Sequence, residues 1–161
     1  MMNDSRNASP RGADPKALYQ EVILDHNRKP RNFGRLDAPT HHAKGHNPLC
    51  GDRVKVHLVV NGEGRIADIK FEGRGCAISQ ASASLMTDML AGRTVAEAEK
   101  LMESFVHLVK GEDAGDLGED DRDRLNVMAG VSAFPMRVKC ATLAWHTMKS
   151  ALEGGTPAKT E

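Results

Sequence analysis

Val54, Val56, Leu58 and Val60 alternate with Arg53, Lys55 and His57. A period of two is what an extended strand with one buried face requires. The turn-forming run Asn61-Gly62-Glu63-Gly64 follows. Ala67, Ile69 and Phe71 then alternate with Asp68 and Lys70. The middle of the chain is therefore committed to a β-hairpin. A hairpin alone is marginal in water, so its apolar face must be covered by other elements. Residues 39–46 are expected to add a third antiparallel strand.

Helical patterns flank this region. Asp14 stands as an N-cap before Pro15, a residue suited to the first helical position. Leu18, Val22 and Ile23 share a face up to about Asp25, and Pro30 ends the helix. The stretch Arg28 to Arg35 reads as a basic loop. Beyond the hairpin, Ile78, Ala81, Leu85 and Met89 form one helical stripe, closed by Gly92. Small residues on this helix (Ser79, Ala81, Ser82, Ala83 and Ser84) permit close packing. Thr94 and Glu97 have the spacing of a capping box, opening a helix that runs to about Lys110. Residues 111–123 hold seven acidic residues against one arginine, which reads as a solvated acidic loop, with contact to a basic partner as its functional option. A short helix is expected at 124–131. Pro135 opens the last helix, in which Arg137, Cys140, Ala141, Ala144 and Met148 share a face before Gly154-Gly155.

The expected fold class is α+β, a three-stranded antiparallel sheet packed by helices. One domain spans 14–153, with an acidic insertion near 111–123, between a disordered head at 1–13 and a disordered tail at 154–161. The 161 residues suffice for a core. With 22 basic and 22 acidic residues the formal charge is zero, which argues against nucleic acid as a partner. No apolar run approaches the roughly 18 residues of a membrane span. Residues 1–13 lack the apolar core of a secretory signal. Three cysteines fit no disulfide framework, and a reducing cytoplasmic location is expected.

Those cysteines carry the chemistry. Cys50 and Asp52 are two apart just before a strand, so both side chains point the same way and can converge on one ion. Cys76 follows Gly73-Arg74-Gly75 at a helix start, where free N–H groups and the helix dipole favour a thiolate. Cys140 lies in the second turn of the last helix, with Arg137 on the same face and Lys139 adjacent. Three thiols and a carboxylate complete the shell of one tetrahedral metal. Around a divalent ion they sum to minus two, a charge that Arg137 and Lys139 could offset. An equal alternative stands beside this: free cysteine is often only a small buried hydrophobe, and no C-x-x-C spacing is present. His46 is a competitor for a coordination position. His41, His42 and His57 fall where strand faces meet solvent.

Three cysteine-centred segments resemble those of the U-type iron–sulfur cluster assembly proteins, the IscU/NifU/SufU group. They are Asn47-Pro48-Leu49-Cys50-Gly51-Asp52, Phe71 to Ser82 around Gly75-Cys76-Ala77, and Arg137-Val138-Lys139-Cys140-Ala141. The resemblance runs from about Leu18 to Leu152. Within the group the chain is most similar to the SufU type. Lys139 stands where scaffold-type members carry a histidine, and Phe134-Pro135-Met136-Arg137-Val138 replaces their chaperone motif. The acidic stretch accounts for a longer interval between Cys76 and Cys140.

The resemblance implies a SufE/NifU-like fold and a zinc ion held by Cys50, Asp52, Cys76 and Cys140. It implies a sulfurtransferase-like role in which Cys50 accepts sulfur as a persulfide from a SufS-type cysteine desulfurase. In the family picture a desulfurase histidine takes a zinc position and frees Cys50. Arg137 would stabilise anionic sulfur or dock the partner, and a downstream iron–sulfur assembly complex would receive the sulfur. Two other functions compete: a scaffold building a [2Fe–2S] cluster, with iron on the same four residues, and a structural zinc interaction module.

Overall fold

A computed structural model describes residues 15–155 and 157–159. The head at 1–13, the Asp14 cap and the side chain of Leu18 lie outside the described residues.

The order of elements is α1 (Pro15–Arg28), β1 (His41–Asn47), β2 (Asp52–Val60), β3 (Ile66–Arg74), α2 (Ala77–Leu90), α3 (Val95–Val109), α4 (Glu119–Asn126), a 3-10 turn (Ala129–Ala133), α5 (Pro135–Leu152) and β4 (Ala158–Lys159). The sheet runs β3-β2-β1-β4, with β1, β2 and β3 antiparallel. This is the expected α+β architecture of a three-stranded antiparallel sheet under helices. The fourth strand is an addition of two residues. It lies within the tail expected to be disordered and pairs in parallel with Gly45 and His46. The outer edge of β1 would otherwise present unpaired N–H and C=O groups, and the returning chain satisfies some of them.

The hairpin alternation buries Val54, Val56, Leu58, Ile69 and Phe71 on one face. Ala67, expected to point inward, is exposed, and Ile66 is buried instead. The register slips between Val59 and Val60, and this bulge reverses the facing of the residues beyond it. His57 also departs from expectation: it is 5% exposed. It sits on the central strand between His42 and Lys70, so neighbours on both sides shield it although it faces away from the helices.

Helix α5 lies across β1 and β2 and against α2. The small residues of α2 allow this approach, and Ser79, Ala81, Ser82, Ala83 and Ser84 are all buried. Ser82 Oγ donates to the carbonyl of Ala141 and accepts from Trp145 Nε1 at 3.1 Å. Trp145 stacks on Phe105 of α3, with ring centroids 4.7 Å apart. The Thr94–Glu97 capping box forms at the start of α3.

The acidic stretch is a loop only in part. Helix α4 begins at Glu119, earlier than the helix expected at 124–131. Three acids in its first turn favour the positive end of the helix dipole. Arg93 grips Asp121 with both terminal nitrogens, at 3.0 and 2.7 Å, and Arg124 pairs with Asp88. Among the described residues no helix is long and apolar enough to cross a membrane.

Candidate metal centre

The site forms where the β1–β2 connection, the start of α2 and the second turn of α5 meet. Asn47 and Asp52 face each other at the end of the β1–β2 ladder. Between them the chain turns: the Cys50 amide donates to the Asn47 carbonyl at 3.3 Å, and the Leu49 amide donates to Asn47 Oδ1 at 3.2 Å. Gly51 takes a φ of 71°, open to glycine at little cost. Close approach is required at Gly75, whose Cβ would collide with the Asp52 carboxylate, while among the described residues nothing lies within 4 Å of a Cβ at Gly51.

Cys76 caps α2. Its Sγ accepts from the Ser79 amide at 3.4 Å. Its own amide donates to Asp52 Oδ1 at 2.9 Å, and its Sγ lies 3.9 Å from Asp52 Oδ2. Cys140 is fully buried in α5, with its Sγ 3.3 Å from that of Cys50. Cys50, Asp52 and Cys140 each place a donor atom within 4.8 Å of the others. Cys76 joins this group through Asp52. Donors around one zinc stand roughly 3–4 Å apart when bonds are about 2.0–2.3 Å, so the arrangement is close to what a bound ion requires.

The electrostatics call for a cation. Asp52 is 0% exposed, with an amide and thiols as neighbours, a costly place for a bare carboxylate. Burial pushes the Cys140 thiol far up, and its hydrogen bonds with Asp52 and Cys50 and the charge of Cys76 add to the shift. A divalent ion would relieve both groups, so the donor set fits zinc. Arg137 is exposed at the rim, and its hydrogen bond with Cys140 and the charges of Cys76, Cys140 and Cys50 hold its guanidinium firmly protonated. Lys139 is half-buried beside Cys140. His46 lies away from the cluster: Ala43, Gly45 and Asn47 point toward the helices, so His46 is on the opposite face.

Two residues near the site escaped the sequence reading. The Asn47 side chain is fully buried and donates to Cys140 Sγ at 3.8 Å, tying the cysteine loop to α5. An asparagine before Pro48 was the available signal, since Asx turns begin this way. Tyr19 of α1 is buried, with a hydroxyl that has no hydrogen-bond partner among the described residues. Burial raises its pKa, and the charge of Cys76 raises it further. Leu49, next to Cys50 in the chain, and Phe134 and Met136, at the start of α5, are exposed apolar side chains.

The family profile described as "NifU-like N terminal domain" matches residues 18–154. The chain is 38% identical to the zinc-dependent sulfurtransferase SufU of Bacillus subtilis over 149 residues, covering 89% of this chain and 97% of that protein. It is 40% identical to the iron-sulfur cluster assembly scaffold protein IscU of Thermotoga maritima, covering 86% and 94%. Among solved structures, a putative iron-sulfur cluster assembly scaffold protein for the SUF system from Fervidobacterium islandicum superposes with a TM-score of 0.76 at 34% identity. That match covers 84% of this chain and 97% of that one.

Proposed function

The chain belongs to the family of NifU-like N-terminal domains, and from that premise we propose that it serves iron–sulfur cluster assembly as a zinc-dependent sulfur acceptor for a cysteine desulfurase, of the SufS type. The observation that carries this reading is the placement of Cys50. It lies on a turn, half-buried, against the buried Cys140 and Asp52. A sulfur so placed can be reached by a partner while its neighbours stay enclosed.

Cys50, Asp52, Cys76 and Cys140 would hold the zinc. When bound, the ion would keep the thiols deprotonated and unreactive until one ligand is exchanged. The Cys50 thiolate then attacks the outer sulfur of a persulfide on the donor. The new S–S bond forms on Cys50 as the donor's S–S bond breaks and its cysteine leaves as thiolate, the ordinary course of thiol exchange. Arg137 faces the anionic sulfur that results. Asp52, anchored by the Cys76 amide, holds its place through the exchange.

The T. maritima relative's name favours a second reading, in which a [2Fe–2S] cluster is the cargo built on the same residues. Thiolates hold such clusters, so the donor set suits both. Turnover of a SufS-type desulfurase with and without the zinc-loaded protein separates them. Strong stimulation that vanishes in Cys50→Ala supports sulfur acceptance. No stimulation, with cluster formation once zinc is replaced by iron and sulfide, supports the scaffold.

A further inference from the structure

Helices cover one face of the sheet, and the other carries concentrated positive charge. On that outer face the register sets Lys44 opposite Lys55, and Arg53 opposite Arg74. Like charges directly opposite on neighbouring strands are destabilising. Lys55 also faces Glu72, but the Glu72 carboxylate is engaged by Arg35 at 3.1 Å and His57 at 3.4 Å. Among the described residues, none of Lys44, Arg53, Lys55 and Arg74 has an ion pair with a carboxylate. An open groove of about 470 Å³ runs between these side chains.

The excess is local, since the chain as a whole has no net charge. Its position is equally specific. Arg53 follows Asp52 directly, and Arg74 is two residues before Cys76, so the patch begins at the edge of the candidate metal centre. The free protein gains nothing from this arrangement. A surface rich in carboxylates laid against it would turn repulsion into attraction and steer the encounter.

We propose that the outer face of the sheet docks an acidic surface of the sulfur-donating partner, bringing its reactive sulfur to the end where Cys50 lies. The proposal rests on the sulfur-acceptor reading and adds to it the surface that recognises the donor. Docking charges outside the reacting centre act on association, so they should move the KM for the acceptor and leave kcat alone.

The test uses the full-length, zinc-loaded protein as acceptor for a SufS-type desulfurase at low and high salt. Lys44→Glu combined with Lys55→Glu should raise the acceptor's KM by about tenfold at low salt and flatten its salt dependence, with kcat unchanged. Lys44→Glu alone is the sharper variant. It places an acid opposite Lys55, so the free protein should melt no lower than before while its KM rises. Loss of affinity with an unaltered Tm would match a docking role and no structural one. Full stimulation with unchanged KM in both variants would overturn the docking surface and leave the sulfur-acceptor reading standing. No stimulation by the unsubstituted protein would overturn both. Self-association abolished by the same substitutions would assign the face to a second copy of the chain, and so overturn the proposal as well.

Discussion

Asp52 accepts a hydrogen bond from the Cys76 amide at 2.9 Å through Oδ1, while Oδ2 stands 3.9 Å from the Cys76 thiol. One carboxylate thus fixes the start of α2 and offers an oxygen to the donor cluster. Asp52→Ala removes both functions, and zinc should be lost at least about tenfold more readily to a competing chelator. Asp52→Asn keeps an acceptor for the Cys76 amide but loses the charge, so it should fold normally and still hold zinc weakly. Unchanged zinc retention in both variants would remove Asp52 from the ligand set.

Gly75 tests the same contact from the other side. Gly75→Ala drives a methyl group into the Asp52 carboxylate. The expected result is weaker zinc retention with a modest stability loss of about 1–3 kcal/mol, measured by denaturant titration. Gly51→Ala, where among the described residues no neighbour lies within 4 Å, should cost only the strain of a positive φ, roughly 1–2 kcal/mol.

Stability should fall in mild acid. Burial lowers the pKa of His26, whose Nδ1 lies 2.7 Å from Ser84 Oγ, and likewise that of His57. The unfolded chain takes up these protons near the ordinary value of about 6.5, the folded chain only at lower pH. The unfolded state therefore binds more protons in that window. The contribution is whole above about pH 6.5, declines as pH falls through it, and levels off below the folded pKa values. Urea midpoints measured from neutral to mildly acidic pH should show the decline, and His26→Gln should flatten it. An equally steep slope in that variant would exclude His26 as a source.

Trp145 links the core to the site's scaffold. Trp145→Ala should cost about 3–5 kcal/mol, since the ring is fully buried against Phe105 and bonded to Ser82. Calorimetry checks this, and a loss under about 1 kcal/mol would mean the α3–α5 contact is not central to the fold.

The legible parts of this chain were those written in local periodicity. Val54 to Phe71 declared a hairpin because burial alternates along a strand, and Thr94 with Glu97 declared a helix start through its cap. Ala67 was misread because a bulge shifts register by one residue, which no alternation pattern signals. His57 was misread because its shielding comes from His42 and Lys70 on other strands. The start of α4 was hidden by a charge run that resembles a loop until Arg93 is seen to hold Asp121. At the site, residue types and local context singled out Cys50, Asp52, Cys76 and Cys140. Their convergence depends on three separate elements, and only family resemblance or the folded chain brings them together. Asn47 stood in the cysteine motif without a role because its partner, Cys140, lies on α5.

The central claim is that Cys50 receives the sulfur. The direct measurement is a single-turnover reaction with a SufS-type cysteine desulfurase and cysteine, followed by mass analysis of peptides protected from reduction. The account predicts a gain of one sulfur atom on the peptide carrying Cys50, and none on any peptide in a folded Cys50→Ser variant. Sulfur found on Cys76 or Cys140 instead, or retained by the Cys50→Ser protein, would contradict it.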